Sequence, residues 1–143
     1  FLYELHHPNI IGIDEVFIGE NGKDVYIVFE YMEADLHLVV RKKILTERHI
    51  KYITYQVAKA LLYMHSADLI HRDLKPSNIL LNDFANKTVD FGLVRSIDQN
   101  NHEDYDILTE YIATRWYRAP ELILGSKNYS TKIDVWSFGC TIA

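Results

Sequence analysis

The chain has 143 residues, of which 48% are hydrophobic and 13% aromatic, and its formal net charge at pH 7 is −5. This composition indicates a globular domain, and the acidic balance argues against a general nucleic-acid-binding surface. Cys140 is the only cysteine, which excludes an intramolecular disulfide and favours a reducing intracellular compartment, cytoplasmic or nuclear. No apolar run approaches the roughly 20 residues that span a bilayer, so no membrane partner is expected.

The first predicted elements are the end of a helix and a β-hairpin. Residues 1–6 are typical of a helix end, and Pro8 stops the pattern because it disfavours helical geometry at His7. The apolar, β-branched runs 9–18 and 24–29 predict two strands. Asn21-Gly22 between them predicts the tight turn of a hairpin.

The longest helix signal begins at Thr46, which is a candidate N-cap with Glu47 in the first turn. It ends in the polar stretch 65–68. Apolar residues recur between these points at steps of three and four, which predicts one face buried in the core rather than a cofactor site. The residues of this predicted face are Ile50, Ile53, Val57, Ala60, Leu61 and Met64.

The stretch 71–78 after this helix has the sequence His-Arg-Asp-Leu-Lys-Pro-Ser-Asn. Within eight residues it offers a carboxylate at Asp73, an ammonium group at Lys75 and an amide at Asn78. Such groups can act as a base, a cation and a metal ligand, or they can simply cap neighbouring helices in a turn. Two further motifs favour the chemical reading: Asp-Phe-Gly at 90–92, after a short strand candidate, and Ala-Pro-Glu at 119–121.

These three motifs together resemble the conserved segments of eukaryotic protein kinases, whose two-lobed fold is of the α+β class. The resemblance implies that Asp73 orients a substrate hydroxyl and accepts its proton, and that Lys75 neutralises charge on the transferred phosphoryl group. Asn78 and Asp90 would hold Mg²⁺. Lys75 two residues after Asp73 is similar to the serine/threonine class. The resemblance also implies structural roles for His71, Phe91, Gly92 and Glu121.

The same resemblance implies a division of the chain into the end of a small lobe (1–29), a hinge (30–35) and the first part of a large lobe (36–143). Phe29 would lie behind the adenine of ATP, the backbone of Glu30 and Met32 at its edge, and Leu80 beneath it. Asp35 has two open roles, as a ribose contact or as the N-cap of the next helix. The Gly-rich loop and the catalytic lysine are expected before Phe1, so the fragment alone is expected to be inactive.

The acidic segment 95–111 ends in Thr109-Glu110-Tyr111, and Ile-Ala-Thr-Arg-Trp-Tyr-Arg-Ala-Pro-Glu follows at once. This run resembles the dual phosphorylation motif of MAP kinases of the extracellular-signal-regulated kinase type. The resemblance implies phosphorylation at Thr109 and Tyr111 and a pocket, shaped by 112–118, for a proline after the phosphoacceptor. It further implies that Arg72 and Arg95 bind the first phosphate, that Arg115 and Arg118 bind the second, and that Thr114 contacts Asp73 or Lys75.

One spacing departs from the family. Asp90 follows Asp73 by 17 positions, one fewer than is usual. A shortened turn within 82–87, a register change that displaces Asp90, and an error in the sequence are three explanations. The short turn ranks first because Asp-Phe-Gly-Leu at 90–93 is intact.

A last helix is predicted from Lys132 to Ala143, and its Asp134 resembles the aspartate of helix F that binds the backbone of the catalytic loop. The resemblance as a whole implies a partial MAP kinase domain that uses ATP and Mg²⁺, acts on protein substrates and is activated by an upstream dual-specificity kinase. The alternative is a non-catalytic kinase-like binding module or an inactive fragment.

Overall fold

The computed structural model describes residues 5–82, 86–88, 95–96, 112–126 and 128–143, and for 86–88, 95–96 and 112–114 it describes the backbone only. The predicted α+β class is confirmed. No helix within these ranges is both long enough and apolar enough to cross a membrane. The elements in chain order are β1 (Ile13–Ile18), β2 (Val25–Phe29), β3 (Ala34–Asp35), α1 (Leu36–Arg41), α2 (Glu47–Ser66), β4 (Leu69–Ile70), a 3₁₀ turn (Pro76–Asn78), β5 (Ile79–Leu81), β6 (Asn86–Thr88), β7 (Arg95–Ser96), a second 3₁₀ segment (Ile112–Tyr117), α3 (Pro120–Ile123) and α4 (Lys132–Ile142).

Strands β1 and β2 form the predicted antiparallel hairpin. The Gly19 N–H donates to the Asp24 carbonyl at 2.7 Å and closes the hairpin at its turn. Gly22 has a φ of +66°, a conformation that costs little for glycine and more for residues with a Cβ. The tight turn needs a residue with positive φ at this position, which is why Asn-Gly predicts it correctly.

The chain before the hairpin differs from the prediction. Of the predicted helix end 1–6, residues 1–4 lie outside the described residues, and Leu5 and His6 lie outside any helix. Strand β1 begins at Ile13 rather than at Asn9. The His7 ring stacks on Tyr63 with ring centroids 5.0 Å apart, and its Nδ1 accepts the Asn9 N–H at 3.1 Å. Burial lowers the pKa of His7, and the nearby Lys59 lowers it further, so the ring stays available as an acceptor. This turn sends residues 10 and 11 into the core instead of the sheet.

Helix α2 begins where the sequence predicts. The Thr46 hydroxyl accepts the His49 N–H at 3.3 Å, and the His49 ring accepts the Thr46 N–H at 3.3 Å. The N-cap prediction is confirmed, and the helix ends at Ser66 as the polar stretch indicates. The buried face is also as predicted, with the exception of Ile50, which is 46% exposed. Ile50 lies in the first turn of the helix and lines an open cavity together with Val40 and Phe138.

Two hydrophobic clusters divide the buried face of α2 between them. Ala60 and Met64 belong to the first cluster, which also contains Leu5, Ile10, Ile11 and Leu69. The second cluster brings α1, α2, the stretch 71–78 and β5 together through Leu36, Ile53, Val57, Leu61, Leu74, Ile79 and Leu81. Leu74 lies between Asp73 and Lys75 and is 1% exposed. Its burial contributes about 1.5–3 kcal/mol and fixes the stretch 71–78 on α2.

A third, smaller cluster joins the C-terminal elements to the same stretch. Ile70, Ala119 and Ile133 form it, and Leu122 and Tyr129 pack against it. The Ser137 hydroxyl also donates to the Tyr117 carbonyl at 2.7 Å. Helix α4 therefore packs against Ile70, which precedes the stretch 71–78, and against the segment that leads into Ala119-Pro120-Glu121.

Candidate active site

The three chemical groups predicted at 71–78 meet at one point. Lys75 Nζ lies 2.6 Å from Asp73 Oδ2, and the Asn78 amide nitrogen donates to the same oxygen at 3.2 Å and to the Asp73 carbonyl at 2.8 Å. All three residues are less than 9% exposed. The 3₁₀ turn after Pro76 brings Asn78 back over Asp73. A carboxylate, a cation and an amide are thereby held within hydrogen-bonding distance in a partly dehydrated site.

Asp134, near the start of α4, accepts hydrogen bonds from the backbone of this stretch. Its Oδ2 accepts the His71 N–H at 2.8 Å, and its Oδ1 accepts the Arg72 N–H at 2.9 Å. Arg72 has a φ of +67°, which is a strained conformation for a residue with a long side chain. His71 is fully buried, and its Nδ1 accepts the Asp73 N–H at 3.3 Å. Asp134 and His71 together therefore fix the path of the backbone into Asp73.

Two contacts to this site have no signal in the sequence. His65 Nε2 lies 2.8 Å from Asp134 Oδ2, and Arg72 Nη1 donates to the Tyr129 hydroxyl at 3.0 Å. The partners in these contacts are 69 and 57 positions apart in the chain. His65 reads in sequence as part of a helix end and Tyr129 as part of a loop, so only the tertiary arrangement reveals them.

Three of the residues predicted to surround adenine contact the first hydrophobic cluster. Phe29, Met32 and Leu80 are each partly buried and all pack against it. Met32 Sδ is also 3.8 Å from the amide nitrogen of Asn82. Glu30 is half-buried between Phe29 and Met32 in the segment that joins β2 to β3. The role of Phe29, Met32 and Leu80 as a surface for adenine stays a prediction.

A family model for the protein kinase domain matches residues 1–143. The chain belongs to the protein kinase family. It is 55% identical over 99% of its length to Extracellular signal-regulated kinase 2 of Dictyostelium discoideum. It is 51% identical to Mitogen-activated protein kinase 15 of Xenopus laevis and 49% identical to Extracellular signal-regulated kinase 1 of Candida albicans (strain WO-1), again over 99% of its length. The resemblance to MAP kinases of the extracellular-signal-regulated kinase type is therefore confirmed. The chain spans 40%, 25% and 35% of these three relatives, respectively.

The predicted short turn lies in the stretch between β5 and β6. Strands β5 and β6 pair antiparallel, with Ile79 opposite Thr88 and Leu81 opposite Asn86. Four residues, 82–85, connect them, and this pairing is what the short-turn explanation requires. Asp90, Phe91 and Gly92 lie outside the described residues, so the position of the predicted Mg²⁺ carboxylate stays a prediction.

The arginines predicted to bind phosphate differ in their exposure to solvent. Arg72 is 5% exposed, Arg118 is half-buried and Arg115 is exposed. The backbone of Arg95 pairs with Ile70 through β4 and β7, two residues from Arg72. Thr109 and Tyr111 lie outside the described residues, and of Thr114 only the backbone is described, in the second 3₁₀ segment. Glu121 is half-buried in α3.

Helix α1 shows which of the two roles of Asp35 its side chain performs here. Asp35 Oδ1 accepts the Leu38 N–H at 2.7 Å and caps the helix. We expect Asp35→Ala to lower the free energy of unfolding by about 1 kcal/mol, because an N–H loses its acceptor. Asp35→Asn is expected to keep nearly all of the wild-type free energy of unfolding, since asparagine caps equally well. Urea denaturation measures both. Equal stability of the wild type and both variants would contradict the capping role. A changed KM for ATP in both variants would indicate that Asp35 also contacts the ribose.

Among the described residues, Asn78 offers an oxygen of the kind that magnesium binds. In the parts of the chain that the structure describes, no group of three His, Cys, Asp or Glu side chains could hold a metal ion. Asn78 uses its amide nitrogen for both bonds to Asp73, so the amide oxygen is the atom available as a ligand. Mg²⁺ prefers oxygen ligands and keeps several waters and phosphate oxygens in its shell. One amide oxygen together with the predicted carboxylate of Asp90 would meet that need.

Proposed function

We propose that the protein is a serine/threonine kinase of the MAP kinase type, which transfers the γ-phosphate of ATP to a protein hydroxyl. The observation that carries the proposal is the convergence of Lys75 and Asn78 on Oδ2 of Asp73, above a backbone that Asp134 fixes. Phosphoryl transfer needs little covalent chemistry from the protein and depends on positioning and charge stabilisation. The site supplies both of these.

Each residue has a distinct part in the proposed mechanism. Asp73 accepts a hydrogen bond from the substrate hydroxyl and aims the hydroxyl oxygen at the γ-phosphorus. It takes the hydroxyl proton as the new O–P bond forms and the bond from the γ-phosphorus to the bridging oxygen breaks, which releases ADP. Lys75, beside Asp73, stabilises the negative charge on the transferred phosphoryl group. Asn78 and Asp90 would hold Mg²⁺, which neutralises charge on the β- and γ-phosphates when it is bound. Phe29, Met32 and Leu80 form the surface for adenine.

The proposal extends to regulation, specificity and location. It includes activation by an upstream dual-specificity kinase at Thr109 and Tyr111, and a preference for proline after the phosphoacceptor. It also includes an intracellular location, cytoplasmic or nuclear, which the single cysteine favours. The proposed lobe boundaries are 1–29, 30–35 and 36–143. The family match and the overall identity to MAP kinases support these points.

The direct test is phosphate transfer by the complete protein, activated by an upstream kinase. We expect ATP-dependent phosphorylation of a Ser-Pro peptide, with a kcat/KM about tenfold or more above that for the matched Ser-Ala peptide. Chelation of Mg²⁺ should abolish the reaction and restored Mg²⁺ should recover it. ATP binding without transfer to any peptide would contradict the catalytic proposal and favour a binding module. Equal use of the two peptides would contradict only the proline preference.

A further inference from the structure

Arg72 is held both at its backbone and at its guanidinium group. The backbone N–H donates to Asp134 Oδ1 at 2.9 Å, and the guanidinium Nη1 donates to the Tyr129 hydroxyl at 3.0 Å. Arg72 is only 5% exposed. An arginine side chain has several rotatable bonds and much rotamer entropy, so few of its conformations satisfy both bonds at once. The phenol oxygen of Tyr129 therefore restricts where the guanidinium lies.

The ring of Tyr129 has a fixed place of its own. It is partly buried and packs against the cluster formed by Ile70, Ala119 and Ile133. These residues come from β4, from the N-cap of α3 and from α4, respectively. Because the ring packs against separate elements of the fold, the position of its hydroxyl does not depend on the arginine. The acceptor is therefore in place before the guanidinium binds it.

The chemistry of this acceptor suits a cation that must bind a further group. A carboxylate at the place of the phenol would form a charge-assisted pair with Arg72 and would compete with any anion. The Tyr129 hydroxyl accepts an N–H without neutralising the guanidinium. A guanidinium carries several N–H donors in one plane, so a bond to the phenol is compatible with a bidentate pair to a phosphate.

We propose that Tyr129 is a positioning residue, which holds the guanidinium of Arg72 in the place where it receives a phosphate. The inference rests on the proposed activation at Thr109 for the source of that phosphate, and on the geometry of the described residues for the role of Tyr129. When the guanidinium is already placed, phosphate binding does not incur the entropy cost of ordering a long side chain. Loss of the phenol hydroxyl should therefore reduce the activation that the Thr109 phosphate brings.

A double-mutant cycle between Tyr129 and Thr109 tests this role in the complete kinase after treatment with an upstream kinase. Tyr129→Phe removes only the hydroxyl, and Thr109→Ala removes the phosphate. The activation ratio is kcat with Thr109 intact divided by kcat with Thr109→Ala, and it measures the effect of this phosphate. We expect Tyr129→Phe to lower the activation ratio about fivefold or more, which is the low end of typical coupling effects. Tyr26→Phe, the same substitution at an exposed position of β2, is the matched control and should leave the ratio unchanged.

The activation ratio separates positioning from a general loss of stability. If the hydroxyl of Tyr129 served only the fold, its removal would lower kcat equally with and without the Thr109 phosphate, and the ratio would not change. Phosphopeptide mass spectrometry must show equal phosphate at Thr109 in the wild type and in Tyr129→Phe, so that a lower ratio reports weaker use of the phosphate.

A second measurement does not depend on activity. The NMR order parameter of the Arg72 Nε–H bond, taken from nitrogen relaxation, reports how firmly the guanidinium is held. In the kinase before activation it should be about 0.85 in the wild type, like a rigid backbone, and below about 0.6 in Tyr129→Phe. Arg48, exposed in the first turn of α2, serves as the internal reference and should give the same value in both proteins.

The outcomes distinguish the inference from the proposed function. An unchanged activation ratio in Tyr129→Phe would overturn the inference, as would equal order parameters of Arg72 in the two proteins. If the wild type acquires no phosphate at Thr109 or transfers none to a peptide, the proposed function fails, and the order parameter alone decides whether Tyr129 positions Arg72. If Tyr129→Phe does not fold, the hydroxyl serves the fold and not the guanidinium, which also overturns the inference.

Discussion

Asp73→Asn in the complete kinase is expected to lower kcat by about 10²- to 10⁴-fold, the usual contribution of a general base, with KM for ATP changed little. The substitution is nearly isosteric, so an amide oxygen can still accept from Lys75, and the backbone bonds to His71 and Asn78 do not involve the side chain. What the variant loses is the capacity to take a proton from the substrate hydroxyl. The loss therefore falls on the chemical step rather than on nucleotide binding.

The matched control for this prediction is Asp68→Asn. Asp68 is exposed at the end of α2, only five residues earlier, and its φ of +54° suits asparagine as well as aspartate. Steady-state kinetics at saturating peptide should show kcat within about twofold of the wild type for Asp68→Asn. An unchanged kcat in Asp73→Asn would remove the assignment of Asp73 as the base. A parallel loss of ATP binding would indicate a structural role instead.

The predictable parts of the fold are those set by neighbours in the chain. The hairpin turn at Gly22 follows from local backbone geometry, and the start of α2 follows from the side chain of Thr46. The wrong start of β1 has a tertiary cause, because the stacking of His7 on Tyr63 and the burial of Ile10 outweigh the strand propensity of the run from Asn9.

In the candidate site, too, the residues in sequence motifs were predicted, and the contacts that depend on tertiary packing were not. The family resemblance implied the group formed by Asp73, Lys75 and Asn78, and also Asp134 beneath it, because these residues lie in motifs with fixed spacing. The donor at His65 and the phenol at Tyr129 are absent from those predictions. Each depends on how α2 or the segment before α4 packs against the loop, and the amino-acid pattern around each residue is ordinary for a helix end and a loop.

Loss of either proposed phosphorylation site is expected to keep the kinase in its low-activity state. After treatment with an upstream activating kinase, Thr109→Ala and Tyr111→Phe should each show activity about 5- to 150-fold below the wild type, the range of a typical coupling free energy of about 1–3 kcal/mol. The segment from Ser96 to Tyr111 already carries Asp98, Glu103, Asp104, Asp106 and Glu110. Two phosphates would add about −3 to −4 of charge, which must be met by cations.

The surroundings of Arg72 explain why the loss of a phosphate is expected to lower the activity this much. Arg72 is almost fully buried and donates to the neutral hydroxyl of Tyr129. A phosphate would offer the same guanidinium charge-assisted bonds that are roughly twice as strong. Because Arg72 directly precedes Asp73, a phosphate bound there would act on the catalytic backbone itself. Glu in place of Thr109 should activate poorly, since a carboxylate has less charge and fewer acceptor oxygens than a phosphate.

Tyr105→Phe is the matched control, because it makes the same substitution as Tyr111→Phe six residues earlier in the acidic segment. It should respond to the activating kinase like the wild type. Phosphopeptide mass spectrometry must show that each single variant still carries phosphate at the other site, so that a low rate reports the missing group and not a failed treatment. Wild-type rates in both Thr109→Ala and Tyr111→Phe would show that the segment is not the switch. The chain would then keep the phosphoryl-transfer proposal for Asp73, Lys75 and Asn78, because that proposal rests on the loop geometry and not on the phosphorylated segment.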